Sequence, residues 1–228
     1  ENLEAIAQLE AAISLDSTHI PAYFELALQY LAQDRDQDAI DLYNAILALQ
    51  PRNARAMLRL CETYRKVGQF NRAVGFCEDA VSADPTNVSA LYQLGLLYYN
   101  DLEFPKALNT FASCVEADPQ SLNCTYRLGL SFYYVHQSNQ CVGSVNPLCT
   151  ERDSLPLYDT DDCTSAWNIL QDALIMAQNR QGTEEQINHI REGLTAVGRL
   201  CPQYGSIVPV PELPEITPEA QDSTDGGA

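Results

Sequence analysis

Eight cysteines, three histidines and a run of alternating aspartates are the residues of this chain best equipped to do chemistry. No C-x-x-C occurs and no cysteine lies near a histidine at ligand spacing, so crosslinking is favoured over a zinc site. His19, His136 and His189 are scattered and have no motif around them, whereas a general base needs a positioned partner. Asp34, Asp36 and Asp38 imitate the start of a calcium loop, but Ala39 and Ala45 stand where its glycine and closing glutamate belong. A turn with a helix cap is the better reading of that run. Asp159, Asp161 and Asp162 could hold calcium, against the plainer reading of a solvated acidic loop. Nothing assembles into a catalytic constellation, so neither enzyme nor cofactor is expected.

Acidic residues outnumber basic ones by 31 to 13, for a net charge of -18, which points away from nucleic acid and anionic membrane as partners. No apolar run approaches the roughly 18 residues that span a bilayer. Beginning at Glu1 without Met or a signal-like segment, the chain reads as a processed protein or a cut fragment.

The elements that must carry these residues repeat. Pro51, Pro85 and Pro119 are evenly spaced, and Tyr30 and Ala39, Tyr64 and Ala73, Tyr98 and Ala107 keep the same step before each of them. In the first full unit the patterned positions read Tyr23, Leu26, Ala27, Tyr30, Ala39, Tyr43, Ile46 and Pro51. The second reads Met57, Leu60, Cys61, Tyr64, Ala73, Cys77, Ala80 and Pro85, and the third Leu91, Leu94, Gly95, Tyr98, Ala107, Phe111, Cys114 and Pro119. This pattern resembles the tetratricopeptide repeat (TPR) family, whose helix–turn–helix units stack into a right-handed superhelix. The resemblance implies an all-α solenoid that works by protein binding. It names no partner.

The expected organisation follows that register. Residues 1–17 read as the second helix of an incomplete unit, 18–119 as three complete units and 120–182 as a fourth with a Cys- and Asp-rich insertion at about 137–163. Residues 183–201 read as a capping helix opened by a Thr183/Gln186 capping box, and 202–228 as a Pro-rich acidic extended tail.

In an antiparallel helix pair, residues equidistant from the turn face each other, so a disulfide should be centred on a turn. Cys114–Cys124 straddles Pro119, Cys163–Cys201 straddles Gly182 and Cys61–Cys77 straddles Gln69; Cys141–Cys149 would close a short loop. The competing reading makes Cys61, Cys77 and Cys114 small core residues with free thiols. Four pairs with no cysteine left over point to an oxidising compartment: extracellular, cell-surface or periplasmic. Asn87 and Asn123 each open an N-x-S/T pattern and would permit glycosylation in a suitable host, with Asn87, in a turn, the better placed.

The resemblance places a partner groove on the first helix of each unit. Its positions here are Phe24, Leu28 and Leu31; Arg55, Leu58, Glu62, Arg65 and Lys66; Tyr92, Leu96 and Tyr99; and Tyr126, Leu130, Tyr133 and Tyr134. The Lys and Asn residues of the family's carboxylate clamp are largely replaced by apolar ones, which argues against a heat-shock co-chaperone. A basic island of Arg52, Arg55, Arg59, Arg65, Lys66 and Arg72 adds charge to this trough. An extended peptide of apolar residues, prolines and glutamates would suit it, and the chain's own tail is one, with Ile207, Val208, Val210, Leu213 and Ile216 as its apolar ladder. The favoured reading is therefore a scaffold that binds copies of itself into a filament through the tail, docked in cis or in trans. One alternative is an accessory subunit of a larger exported or membrane-anchored complex that takes a separate partner in the groove. Against both stands the plainer possibility that the tyrosines pack on neighbouring helices and the tail is a stalk.

Overall fold

A computed structural model describes residues 2–138, 162–180 and 182–201. The described residues form ten helices and no strand: α1 (Asn2–Leu15), α2 (Ile20–Leu31), α3 (Asp36–Leu49), α4 (Ala54–Lys66), α5 (Phe70–Ala83), α6 (Val88–Asn100), α7 (Phe104–Ala117), α8 (Leu122–Ser138), α9 (Asp162–Asn179) and α10 (Glu184–Leu200). Each helix packs on the next as an antiparallel hairpin, and the hairpins stack in chain order. The insertion, the Cys141–Cys149 pair and the tail lie outside the described residues.

Local chemistry sets the helix ends at the repeat period. Asn53 and Asn87 cap α4 and α6, each side-chain oxygen accepting from the backbone N–H three residues on, at 2.9 and 3.1 Å. Ahead of α2 and α6, Asp16 and Asp84 accept from the backbone N–H and hydroxyl of Thr18 and Thr86, tying the turn between units. The turn inside each unit needs one left-handed residue, and Asp34, Gly68 and Leu102 supply it with positive φ. At α10, Thr183 and Gln186 close their capping box in both directions.

Small residues facing large ones hold each hairpin. A Cβ on Gly95 would stand 2.6 Å from the Phe111 ring, and one on Gly129 would stand 2.8 Å from Leu170. These helices therefore approach as closely as glycine allows. In the second unit Cys61 and Cys77 fill the corresponding places and are joined by a disulfide, with their Cα atoms 5.2 Å apart. Cys114 and Cys124 join α7 to α8, and Cys163 and Cys201 join α9 to the end of α10.

The buried side chains form two large clusters. One runs from Ile6 on α1 to Leu97 on α6; the other runs from Phe104 to Cys201, and Tyr98 packs against both. Fully buried Phe111, Phe132, Leu128 and Leu170 anchor the second cluster, each worth roughly 1.5–3 kcal/mol of burial. Two hydrogen bonds repeat the register between units, with the Tyr30 hydroxyl donating to Glu10 at 2.8 Å and Tyr98 to Glu78 at 2.5 Å. Burial, with the carboxylate next, raises the hydroxyl pKa of both tyrosines.

Candidate functional site

The even-numbered helices touch one another in turn, α4 on α6, α6 on α8 and α8 on α10, and so form the inner wall of the stack. On α2, Phe24 is buried beneath the Arg55 guanidinium, which lies 4.2 Å from its ring centroid; Leu28 is exposed and Leu31 half-buried. Leu58, Tyr92, Leu96, Tyr99, Tyr126, Leu130, Tyr133 and Tyr134 are all half-buried, so they combine packing with access to solvent. These residues form a strip across the wall, but they are not equally free.

Two groups of them are already engaged. Tyr99, Phe104 and Tyr134 cluster, with centroids 5.6 Å apart for Tyr99 and Phe104 and 5.0 Å apart for the stacked Phe104 and Tyr134. Tyr133 adds an edge contact to Tyr134 at 5.0 Å. Burial first, and Tyr134 second, drive the Tyr99 hydroxyl pKa upward. Further along, α10 lies against α8, where the Tyr126 hydroxyl donates to the His189 carbonyl at 3.3 Å and Leu130 stands 3.2 Å from where a Cβ on Gly193 would be. Leu28, Leu31, Leu58 and Leu96 thus form the more open part of the strip.

The cations divide in the same way. Lys66 Nζ donates to Asp36 at 2.8 Å and Asp34 at 3.0 Å, so the turn of the preceding unit claims it and its pKa rises through those two bonds. Arg59 pairs with Glu62 at 2.8 Å. Arg55, Arg65 and Arg127 pair with no carboxylate among the described residues. Arg127 instead lies between two aromatic faces, 5.4 Å from the Tyr99 centroid and 5.7 Å from that of Tyr126. Both rings are within cation–π range. Beside it a cavity of about 160 Å³ opens between α6, α8 and α10. On α6 the Gln93 Oε1 atom is buried without a donor.

Neither Gln93 nor Arg127 belongs to the groove positions read from the sequence, yet the signal was there: Arg59, Gln93 and Arg127 occupy one register position in successive units. Asn87 is half-buried, its Oδ1 caps α6 and its Nδ2 lies 3.5 Å from Asp84; Asn123 is exposed. No group of three or more metal-ligating side chains occurs among the described residues, and none of their helices is long and apolar enough to cross a membrane.

Three family models match the sequence. That of the anaphase-promoting complex, cyclosome, subunit 3 matches residues 66–146, and two tetratricopeptide repeat models match residues 30–94 and 1–54. The chain is a tetratricopeptide repeat protein. Solved structures agree on the fold. A crystal structure of MamA shares 17% identity over 77% of this chain and 88% of its own, with a TM-score of 0.58. MamA 41-end from Desulfovibrio magneticus RS-1 shares 18% identity over 78% and 87%, also at 0.58. YrrB, described as a TPR protein with an unusual peptide-binding site, shares 22% identity over 79% and 84%, at 0.53. No curated protein matches the sequence. The TPR fold marks the chain as a protein–protein interaction scaffold, and no enzyme family is indicated.

Proposed function

We propose that this chain is a non-enzymatic scaffold of an extracellular, cell-surface or periplasmic assembly, and that it associates with copies of itself through its tail. The observation that carries the reading is the state of the inner wall. It exposes Leu28, half-exposes Leu31, Leu58 and Leu96, and holds three arginines unpaired among the described residues. An isolated protein gains nothing from these features, whereas an extended peptide would meet each of them with its own apolar side chains and carboxylates. Segment 207–219 has that chemistry, alternating apolar residues, prolines and glutamates without a basic residue. Three disulfides joining described helices support an oxidising compartment.

A tail bound by a neighbouring copy makes a heterologous contact, which propagates into a filament wherever the rotation does not close. Mass photometry and negative-stain microscopy of the oxidised full chain, beside a chain ending at Cys201, test this. Ordered assemblies that disappear with the tail are expected. Monomers in both samples would sink self-association and leave the groove to a separate partner, as in an accessory subunit.

A further inference from the structure

The place where α10 crosses the inner wall has a chemistry narrower than that of the groove as a whole. We infer that the cavity between α6, α8 and α10 is a carboxylate pocket that receives a glutamate side chain of segment 207–219, with Arg127 as its cation. This rests on the reading of the tail as the groove's ligand and assigns one of its contacts.

The repeat register shows why Arg127 is available. Arg59 stands two repeats earlier and is answered three residues on by Glu62 at 2.8 Å. On α8 the matching position is Leu130, and Arg127 has no carboxylate partner among the described residues. Its guanidinium carbon is 5.4 and 5.7 Å from the Tyr99 and Tyr126 ring centroids. That arrangement orders the side chain and leaves its planar fork of donors without a carboxylate among the described residues. Glu192 on α10 is near enough to act on the Tyr126 hydroxyl, but it is exposed and forms no ion pair with Arg127.

The cavity fits the same ligand. At about 160 Å³ it has room for a side chain, and Tyr92, Tyr126 and Ile190 line it alongside Gln186 and His189. Tyr92, Leu122, Tyr126 and Ile190 make part of the wall apolar, so an ion pair there is better shielded from water than the same pair on the open surface.

Chain length allows the contact. His189 precedes Cys201 by a little over three turns of α10, and Glu212 follows Cys201 by almost the same number of residues. An extended or polyproline segment advances about twice as far per residue as a helix does, so the tail can run back along α10 to the cavity with length to spare. Five acidic residues and no basic one follow Cys201, so the tail complements an arginine that is unpaired among the described residues, within a chain that otherwise repels it.

The test uses the oxidised full chain carrying Glu212→Gln, Glu215→Gln and Glu219→Gln, which deprives the pocket of its own ligand. A fluorescent peptide of residues 207–219 is titrated in, beside the same peptide with Gln for each Glu. The natural peptide is expected to bind about tenfold more tightly. Adding Arg127→Gln should abolish that preference, while Arg127→Lys, which keeps the charge but loses the fork, should retain part of it; circular dichroism checks that both fold. A preference unchanged by both Arg127 variants overturns the pocket and leaves the tail as a ligand bound elsewhere on the wall. Absence of binding by either peptide overturns the tail reading and the pocket together.

Discussion

Helices α4 and α8 are the same element two repeats apart, and they hold an arginine at the same place to opposite effect. In α4 the arginine is neutralised within its own helix by Glu62; in α8 it lies between tyrosines beside a cavity that α10 borders. Their buried faces hardly differ, with Leu60, Cys61 and Tyr64 in one and Leu128, Gly129 and Phe132 in the other. One face of a repeat helix therefore encodes the stack and another the site, and the site can change while the fold stays the same. What makes α8 special is the helix laid across it.

Removing that cover should have the largest effect. The Cys163–Cys201 bond ties the end of α10 to α9 and closes the longest loop of the three described disulfides. Losing a crosslink of that span costs about 4 kcal/mol by loop entropy. With Cys163→Ser and Cys201→Ser together, urea melts should show the carboxyl-terminal unit opening before the rest, and α8 should become as bare as α4. If stability is unchanged, the burial of Ile187, Ile190, Leu194 and Val197 is holding α10 by itself.

A second pair of variants asks whether α4 is ordinary on its packed face. The hairpins place Ala27 opposite Tyr43 and Gly95 opposite Phe111, and Cys61 opposite Cys77 replaces that small-and-large pairing by a bond. The loop this bond closes is shorter, so Cys61→Ser with Cys77→Ser should cost about 3 kcal/mol in a denaturant melt. Cys61→Gly with Cys77→Phe transplants the neighbouring pair and should recover much of the loss, because a buried ring restores roughly 1.5–3 kcal/mol. Failure to recover would mean that α4 and α5 have diverged from the other hairpins in backbone spacing.

Much of the fold was legible because a repeat writes its constraints in one dimension. The prolines between units, the small and large positions and the capping asparagines recur in one register, and each acts on neighbours a turn or a hairpin away. The site was legible only as positions. Lys66 read as a groove cation, but its partners Asp34 and Asp36 belong to the turn of another unit, and the pattern holds no sign of that bond. Tyr134 read as groove lining, yet its ring stacks on Phe104; Tyr126 and Leu130 meet α10, a helix outside the repeat pattern that defined the groove. Gln93 and Arg127 went unread for the converse reason. The register shows their position, but that Arg127 meets tyrosines in place of a carboxylate is visible only from its packed neighbours.

The smallest change goes to the heart of the comparison. Glu62→Leu gives α4 the residue that α8 carries at Leu130 and frees Arg59 from its partner. That ion pair is partly exposed, with 37% and 27% of its side-chain surfaces accessible. Solvent therefore screens it, and its loss should move stability by no more than about 0.5 kcal/mol. Binding should respond more than folding does. If an unpaired arginine on this wall is enough to hold a glutamate, the variant should bind a second equivalent of the 207–219 peptide, read as stoichiometry in calorimetry. If the stoichiometry stays as it was, a free cation alone is not sufficient, and the partly enclosed cavity beside α10 supplies the rest by shielding the pair from water.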